Sequence, residues 1–236
     1  MALYELPDKI YKHCERVHGE SFIKDGIIKI GTLGGYRKHE LKGIGDPTEG
    51  KHSFSSSEKL EIQSGQIIKG PSNSFHEQAL NIFKGEGKAV INGGFRLATE
   101  VNAFIACFSL DKNASVTKKY DCCVEIYNVN AFITVLAQRF INSISCHFKP
   151  ISFSSGKCNY VPTKDFHHSQ YEKYHNIHPA FLKPEKNYNQ TTNFSEQAEY
   201  RLAWYPNEKT PFPTESRESS IICSIKEIAQ YCRIIN

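Results

Sequence analysis

The residue types best suited to chemistry gather near the C-terminus, in the stretch NFSEQAEYRLAWYP at positions 193–206. Its second half alternates large apolar side chains with Arg201 and alanine, a pattern that predicts a β-strand. Gln197 and Glu199 stand at the entrance to this strand, and alternate residues of a strand project from one face. An amide, a carboxylate and a guanidinium on one face suit an active site. The alternative is a surface edge strand in which Glu199 and Arg201 form a structural ion pair.

Other residues with catalytic or metal-binding side chains give weaker signals. The stretch DFHHSQYEKYHNIHPAF has four histidines, and His175 and His178 are spaced like two metal ligands on one helical face. No cysteine or acid stands at a familiar ligand spacing, so polar surface or pocket histidines are the simpler interpretation. Ser109 ends the run FIACFS without a GxSxG elbow, which disfavours a serine hydrolase and fits a strand-end cap. Cys107 is a poor nucleophile, because an apolar setting raises the pKa of a thiol.

A glycine-rich loop is expected at residues 34–50, where five glycines accompany Tyr36, Arg37, Asp46 and Glu49. Loops of this length in compact domains tend to be functional or disordered. A ligand-binding loop would use its glycines to let the backbone approach the ligand closely, whereas the alternative is a solvated surface loop. The loop contains neither GxGxxG nor GxxxxGK(S/T), so it lacks a dinucleotide fingerprint and a phosphate-cradling loop.

Composition and charge indicate an ordinary globular protein with one domain, residues 1–236. Charged residues make up 23% and hydrophobic residues 39% of the chain. The net charge of +4 permits an anionic partner such as a nucleotide but is too small to indicate nucleic-acid binding. The eight cysteines form no CxxC pair and are expected to be reduced core residues.

The chain shows no sign of a membrane partner. No apolar run is long enough to span a bilayer. The N-terminal segment MALYELPDKIYKHCERVHGE is charged too early and too often for a signal peptide. We therefore expect a cytoplasmic protein.

The order of the predicted elements favours an α+β fold with mostly antiparallel sheets and a few helices, because strands and helices do not alternate regularly. The C-terminal segment 221–236 is expected to form a strand, a helical turn and a strand. Strands of the central sheets are expected near Ile27, Phe104, Val124 and Tyr200.

Two helices and two hairpins complete this prediction. Residues 8–20 and 129–144 have apolar side chains at helical spacing, and Asn130 is the expected cap of the second helix. Two alternating segments predict hairpins with turns at Ser64-Gly65 and at Asn92-Gly93.

Several short motifs, taken in order, resemble a widespread family of poorly characterised bacterial proteins. The members have a loop that ends in Asp-Pro-x-Glu-Gly, here residues 46–50, after a short strand. A later strand ends in Cys-Phe-Ser, here residues 107–109. Near the C-terminus they carry a Glu-x-Arg strand, here residues 199–201, often preceded by a lysine such as Lys183.

The same layout distantly resembles the ADP-ribosyltransferases. Those proteins have an N-terminal arginine or histidine that grips NAD, a central strand that ends in serine or tyrosine, and a late (Gln/Glu)-x-Glu triplet. The resemblance implies an ADP-ribosyltransferase-like fold with NAD as substrate and with Gln197 and Glu199 as the late pair. His13 or Arg37 would take the first part and Ser109 the second, with Tyr36 beside them in the NAD-binding loop.

This resemblance gives the C-terminal residues a chemical role. Cleavage between nicotinamide and ribose passes through an oxocarbenium-like state, and a carboxylate on the ribose hydroxyls stabilises it. Glu199 would supply this carboxylate, Gln197 would orient the acceptor, and Arg201 would bind phosphate or pair with Glu199.

The resemblance further implies a bacterial toxin or phage-defence effector. It leaves open the acceptor, which could be a macromolecule or a nucleotide, and whether a regulatory partner restrains the activity. Two alternatives remain. One is a non-catalytic nucleotide- or protein-binding module that uses the loop at 34–50. The other is a magnesium-dependent nuclease with Asp46, Glu49 and Glu199, which lack a compact metal-binding spacing.

Overall fold

An antiparallel sheet of eight strands lies at the centre of the computed structural model, which describes residues 6–38, 50–64, 66–69, 88–91, 95–114, 119–144, 151–186, 193–206 and 220–235. The described strands are β1 (Ile10–Cys14), β2 (Ile27–Thr32), β3 (Lys51–Ser56), β4 (Leu60–Gln63), β5 (Gln66–Lys69), β6 (Lys88–Ile91), β7 (Phe95–Glu100), β8 (Phe104–Ser109), β9 (Cys122–Ile126), β10 (Ile151–Lys157), β11 (Asn159–Val161), β12 (Asp165–His167), β13 (Leu182–Pro184), β14 (Glu199–Pro206), β15 (Ser220–Ser224) and β16 (Cys232–Ile235). The described α-helices are α1 (Arg16–Asp25), α2 (Leu33–Lys38), α3 (Val129–Ile144) and α4 (Tyr171–Tyr174). Short 3₁₀ helices lie at His168–Gln170, Pro179–Phe181, Phe194–Gln197 and Lys226–Tyr231.

The central sheet splits along one edge of β8. Its strands follow the order β10-β14-β8-β1-β9-β16, while β2 also pairs with β8, and β15 pairs with β2. β1 meets one end of β8 where Tyr11 lies opposite Ser109. β2 meets the other end, beginning with Gly31 opposite Ile105. Between these two contacts no described strand pairs with this edge of β8, so β1 and β2 diverge and leave a gap, which we call the split.

Strand β14 lies inside this sheet, between β10 and β8. Its register places Glu199 opposite Ser109 and Arg201 opposite Cys107. Because side chains alternate along a strand, these four residues share one face of the sheet. The intervening residues of β14, of which Trp204 is fully buried, pack on the opposite face.

Helix α3 covers the Trp204 face and builds the main core. The ring of Phe140 lies 4.7 Å from that of Trp204, and the ring of Phe132 lies 5.6 Å from that of Phe108. These aromatic pairs fix the helix against the sheet, since such contacts add to the stabilisation from burial alone.

The opposite face of the sheet is covered by the 3₁₀ helix Pro179–Phe181. Ala180 and Phe181 form a buried cluster with Leu33, Ile105 and Ala203. This 3₁₀ helix runs directly into β13, which pairs in parallel with β11. The packing of this cluster therefore determines the position of Lys183, the middle residue of β13. Two further three-stranded sheets, β12-β3-β7 and β5-β4-β6, complete the described fold.

The α+β fold with mostly antiparallel sheets is confirmed. The strands predicted near Ile27, Phe104, Val124 and Tyr200 all belong to the central sheet. The C-terminal strand, helical turn and strand are present as β15, the 3₁₀ helix and β16. The first hairpin is confirmed by the pairing of β4 with β5, and Ser64 adopts a positive φ of 48° in its turn.

Four local predictions were wrong. Residues 34–38, expected as the start of the glycine-rich loop, belong to α2, where the Thr32 hydroxyl accepts a hydrogen bond from the Gly35 N–H at 2.9 Å. Residues 8–20 form β1 and the start of α1 rather than one helix. Ile10 and Cys14 pack against the main core from one face of β1, and their separation of four residues fits a strand as well as a helix. The second alternating segment is not a hairpin, because β6 pairs with β4 whereas β7 pairs with β3. The cap of α3 is Asn128 and not Asn130, since the Asn128 side-chain oxygen accepts a hydrogen bond from the backbone N–H of Ala131 at 3.3 Å.

Some predicted features lie outside the described residues. They include Asp46 and Glu49 of the glycine-rich loop and the turn Asn92-Gly93. Within the described part of the chain, no helix combines the length and the apolar character needed to cross a membrane.

The corrected cap predicts different effects for two neighbouring asparagines. Asn128→Ala should lower the free energy of unfolding by about 1 kcal/mol, because an N-terminal N–H of α3 loses its acceptor. Asn130→Ala should change it by less than about 0.5 kcal/mol, since alanine suits a helix interior. Urea denaturation of both variants measures the difference. Equal losses would contradict the assignment of the cap.

Candidate functional site

Three charged side chains meet in the middle of the sheet, in what we call the Lys183–Glu199–Arg201 cluster. The Glu199 carboxylate accepts a hydrogen bond from Arg201 Nε at 2.7 Å and another from Lys183 Nζ at 2.6 Å. Arg201 Nη2 also donates to it at 3.3 Å. Lys183 and Glu199 are each 5% exposed and Arg201 is 1% exposed. The expected ion pair at an exposed sheet edge is therefore wrong, because the pair lies on an inner strand and includes a second cation.

The cluster keeps Glu199 ionised. Burial alone would raise the pKa of its carboxyl, but Arg201 and Lys183 outweigh burial and hold that pKa well below its usual range. Two cations against one carboxylate leave the cluster with a net positive charge. Arg201 Nη1 donates to the Ala180 carbonyl at 2.7 Å, which fixes the guanidinium in place.

Neighbouring groups position the cluster. The Lys183 ammonium lies 4.7 Å from the centre of the Phe194 ring, a cation–π distance. The backbone N–H of Glu199 donates to the Tyr160 hydroxyl at 2.9 Å. Burial, reinforced by the nearby Glu199 charge, raises the pKa of the Cys107 thiol to about 12. The predicted rise in the pKa of the Cys107 thiol is confirmed, and its low nucleophilicity stays a prediction.

Gln197 reaches the cluster by a different route from the predicted one. It ends the 3₁₀ helix Phe194–Gln197, and Ala198 follows with a positive φ of 44°, so Gln197 does not lie on the strand. Its side-chain oxygen nevertheless accepts a hydrogen bond from Lys183 Nζ at 2.8 Å. Lys183 thus links Gln197 to Glu199, and the amide NH₂ is the end of Gln197 that can donate to a ligand.

A cavity of about 160 Å³ opens beside the cluster at the split, and we call it the Glu199 chamber. It brings together six of the seven residues predicted for the site, and Lys12, Tyr11, Tyr120 and Lys183 are also in its wall. The predicted residues in the wall are His13, Tyr36, Ser109, Gln197, Glu199 and Arg201.

Arg37 is the predicted residue that does not line the Glu199 chamber among the described residues. Successive residues of an α-helix project about 100° apart, so Tyr36 and Arg37 of α2 point in different directions. Tyr36 faces the split, whereas Arg37 Nη1 donates to the Val101 carbonyl at 3.3 Å. Arg37 also lies close to the backbone at Gly50. A Cβ atom placed on that glycine would lie 3.4 Å from the Arg37 guanidinium.

Ser109 and His13 lie in the wall of the chamber with hydrogen bonds to backbone groups. The Ser109 hydroxyl lies 2.8 Å from the Gln197 carbonyl and 2.9 Å from the Asp111 carbonyl, and it accepts from the Asp111 N–H at 3.0 Å. These bonds match the role of a strand-end cap. A ring nitrogen of His13 lies 3.4 Å from the Asp111 carbonyl, and burial lowers the pKa of this histidine, which favours its neutral form at pH 7.

Lys12 is a site residue that sequence reasoning missed, and it occupies the split itself. Its Nζ donates to the Cys107 carbonyl at 2.9 Å and lies 5.6 Å from the centre of the Phe108 ring. The lysine thus satisfies a β8 carbonyl that no strand reaches on this edge within the described residues. Lys183 had been noted in the resemblance but was given no role. A signal was present, because a lysine between Leu182 and Pro184 in an apolar run has to be paired if it is buried.

The histidine-rich segment does not assemble a metal site in the described part of the chain. His178 accepts a hydrogen bond from the Ala180 N–H and stacks on Tyr205, with ring centres 4.3 Å apart. A ring nitrogen of His175 lies 2.9 Å from the Tyr171 carbonyl. Across the described residues, no group of three or more histidine, cysteine or acidic side chains could hold a metal ion.

The buried cluster predicts a large stability loss when its carboxylate is removed. Glu199→Gln should lower the free energy of unfolding by about 3–5 kcal/mol, because Lys183 and Arg201 would remain as buried charges beside a neutral amide. The matched control is Glu227→Gln, which breaks an exposed pair with Arg139 and should leave stability nearly unchanged. Urea denaturation of both variants tests this. A small loss in Glu199→Gln would show that the cluster contributes little to folding.

The depressed pKa of Glu199 also predicts a pH dependence. Its stabilising effect is present above the unfolded pKa of about 4.3 and is lost as the pH falls toward the lower folded pKa. Stability should therefore decline below about pH 4 more steeply in the wild type than in Glu199→Gln. Urea denaturation over an acidic pH series provides the measurement. Parallel declines would assign the acid sensitivity to other carboxyls.

Comparisons with known proteins give no relative from which a role for these residues could be taken. No family model, no curated protein and no solved structure matches the chain. The geometry and charge of the Glu199 chamber therefore carry the functional assignment.

Proposed function

We propose that this protein binds NAD at the split and cleaves the bond between its nicotinamide and ribose, as an ADP-ribosyltransferase or an NAD glycohydrolase. The observation that carries this proposal is a buried, ionised carboxylate, Glu199, in the wall of a chamber that also contains the Gln197 amide. A preorganised negative charge in a desolvated site is what a developing ribosyl cation requires.

The charge and the aromatic content of the chamber support a nucleotide ligand. Lys12, Lys183 and Arg201 line it against the single carboxylate of Glu199, so the wall favours an anion such as a phosphate. Three tyrosines in the same wall offer flat apolar faces together with hydroxyl groups, which suit a base or a ribose. The three are Tyr11, Tyr36 and Tyr120.

The proposed step divides between Glu199 and Gln197. As the glycosidic bond breaks, its electron pair leaves with nicotinamide and positive charge develops on the ribose. A carboxylate offers about four lone-pair sites, and Lys183, two N–H groups of Arg201 and the Cys107 thiol already donate to Glu199. A ribose hydroxyl would therefore take the place of the thiol, which is the weakest of these donors. The Gln197 NH₂ would orient the acceptor, which is water in hydrolysis or a second molecule in transfer.

A second candidate is a nucleotide-binding module that does not cleave its ligand. The double ion pairing of Glu199 favours it, because two cations at 2.6 and 2.7 Å neutralise much of the field that would stabilise a ribosyl cation. In this case the cluster would serve only to position cations for an anionic ligand.

The proposed biological role is that of a toxin or phage-defence effector in the cytoplasm. This role rests on the resemblance of the Asp-Pro-x-Glu-Gly, Cys-Phe-Ser and Glu-x-Arg motifs to the poorly characterised bacterial family. An acceptor and a regulatory partner belong to the same proposal. The acceptor would be sought by incorporation of label from radiolabelled NAD in cell lysate.

The test compares two variants that break the same buried pair. Glu199→Gln removes the carboxylate and should lower nicotinamide release by about 10²–10³. Lys183→Met keeps the Glu199–Arg201 bond and should lose less activity. Nicotinamide is quantified by chromatography at low temperature, on protein shown to be folded by circular dichroism.

The outcome separates the two candidates. Wild-type protein that binds NAD in calorimetry and releases no nicotinamide, either alone or with cell lysate as the source of acceptor, would favour the binding module. Full activity in Glu199→Gln would rule out the proposed carboxylate role. Wild-type protein that does not bind NAD would contradict the proposed reaction.

A further inference from the structure

A second cavity of about 380 Å³ adjoins the Glu199 chamber, and we call it the apolar chamber. It lies against β1, α1, β2 and β15, and most of the surface of its wall is apolar. Phe22, Ile27, Ile28 and Ile222 line it beyond the split. The two chambers share Lys12, His13, Tyr36 and Tyr120 in their walls, so they meet along the split.

The size of the Glu199 chamber limits what it can hold. Binding sites for small molecules and cofactors typically measure about 300–1,000 Å³, whereas this chamber measures about 160 Å³. It has room for a ribose and its attached ring but not for a whole dinucleotide. A ligand as long as NAD must therefore extend beyond the shared residues.

The boundary between the chambers carries a positive charge. Lys12 stands there with one N–H committed to the Cys107 carbonyl, and an ammonium carries three donors. His13, the other basic residue at the boundary, favours its neutral form because burial lowers its pKa. Glu15, His18 and Lys29 also line the apolar chamber, and His18 Nε2 lies 3.8 Å from the Glu15 carboxylate. An anionic link between two ring systems would thus lie against Lys12, with an apolar space beyond it.

We propose that the apolar chamber binds the adenosine half of the nucleotide, with the diphosphate at Lys12 and the reacting ribose in the Glu199 chamber. This inference rests on the proposed function for the identity of the ligand. It adds that affinity for the adenosine half is determined by residues of α1, β2 and β15, which are separate from the Lys183–Glu199–Arg201 cluster.

The test uses two ligands that have no glycosidic bond to nicotinamide, ADP-ribose and ribose 5-phosphate, so binding is measured without turnover. Ser21 of α1 lines the apolar chamber, and Ser21→Trp would fill it with an indole ring. The adjacent Glu20 is exposed on the same helix and is not in the wall, so Glu20→Trp is the matched control. Ile222→Asp is a second variant at a site that is 72% exposed, where a folding defect is not expected.

In calorimetry, the wild type should bind ADP-ribose at least about tenfold more tightly than ribose 5-phosphate, a difference of about 1.4 kcal/mol. Ser21→Trp and Ile222→Asp should reduce this ratio toward one, while Glu20→Trp should keep it. Equal ratios in the wild type and both chamber variants would overturn the inference, as would a ratio near one in the wild type.

These results are independent of the proposed reaction. Wild-type protein that shows the preference for ADP-ribose, and loses it in Ser21→Trp, supports the apolar chamber even if NAD is never cleaved. Conversely, NAD cleavage by a protein whose chamber variants bind ADP-ribose like the wild type would retain the reaction and remove this inference.

Discussion

A carboxylate buried inside a β-sheet has to be compensated, and this requirement organises the molecule around Glu199. Moving a charge out of water costs several kcal/mol unless partners offset the loss. The compensation comes from Arg201 on the same strand and from Lys183, which is brought in by β13. Lys183 in turn depends on the cluster of Ala180 and Phe181 that packs against the sheet. The position of one carboxylate therefore ties the central sheet to the segment that covers it.

The same face of the sheet carries the split, so the buried charges are placed next to an opening. β1 and β2 approach the same edge of β8 from its two ends, and neither covers the middle of that edge. Lys12 satisfies a carbonyl that a continuous sheet would bond to a strand. The strand order therefore places the buried charges of the Lys183–Glu199–Arg201 cluster beside a cavity that a ligand can enter. This is why residues as distant in sequence as His13, Ser109 and Glu199 line one chamber.

The sequence predicted the fold class, the main strands and six of the residues that line the Glu199 chamber, because period-two alternation and unusual polar residues are local signals. It could not predict the pairing of strands. The segment around Asn92-Gly93 alternates like a hairpin, yet β6 and β7 join different sheets, since partner choice is decided by tertiary packing. The pairing of Lys183 with Glu199 was also missed. The chain between these two residues includes a 3₁₀ helix, so no strand or helix periodicity relates their positions. Tyr11 and Tyr120 carried no signal that separates a chamber wall from an ordinary sheet surface.

The split also divides the central sheet into two groups of strands. β1 pairs with β9 along its whole length, and β2 pairs with β15 along most of its length. Each of them pairs with β8 only at one end of β8. The two walls of the opening therefore belong to two groups of strands, β1-β9-β16 and β2-β15, that meet at β8. A molecule that contacts both walls would link the two groups where no strand pairing joins them among the described residues. Without it the two groups are joined through β8, through α1 and through the 3₁₀ helix Lys226–Tyr231, which connects β15 to β16. A bound molecule would therefore add one more link between them, directly across the opening.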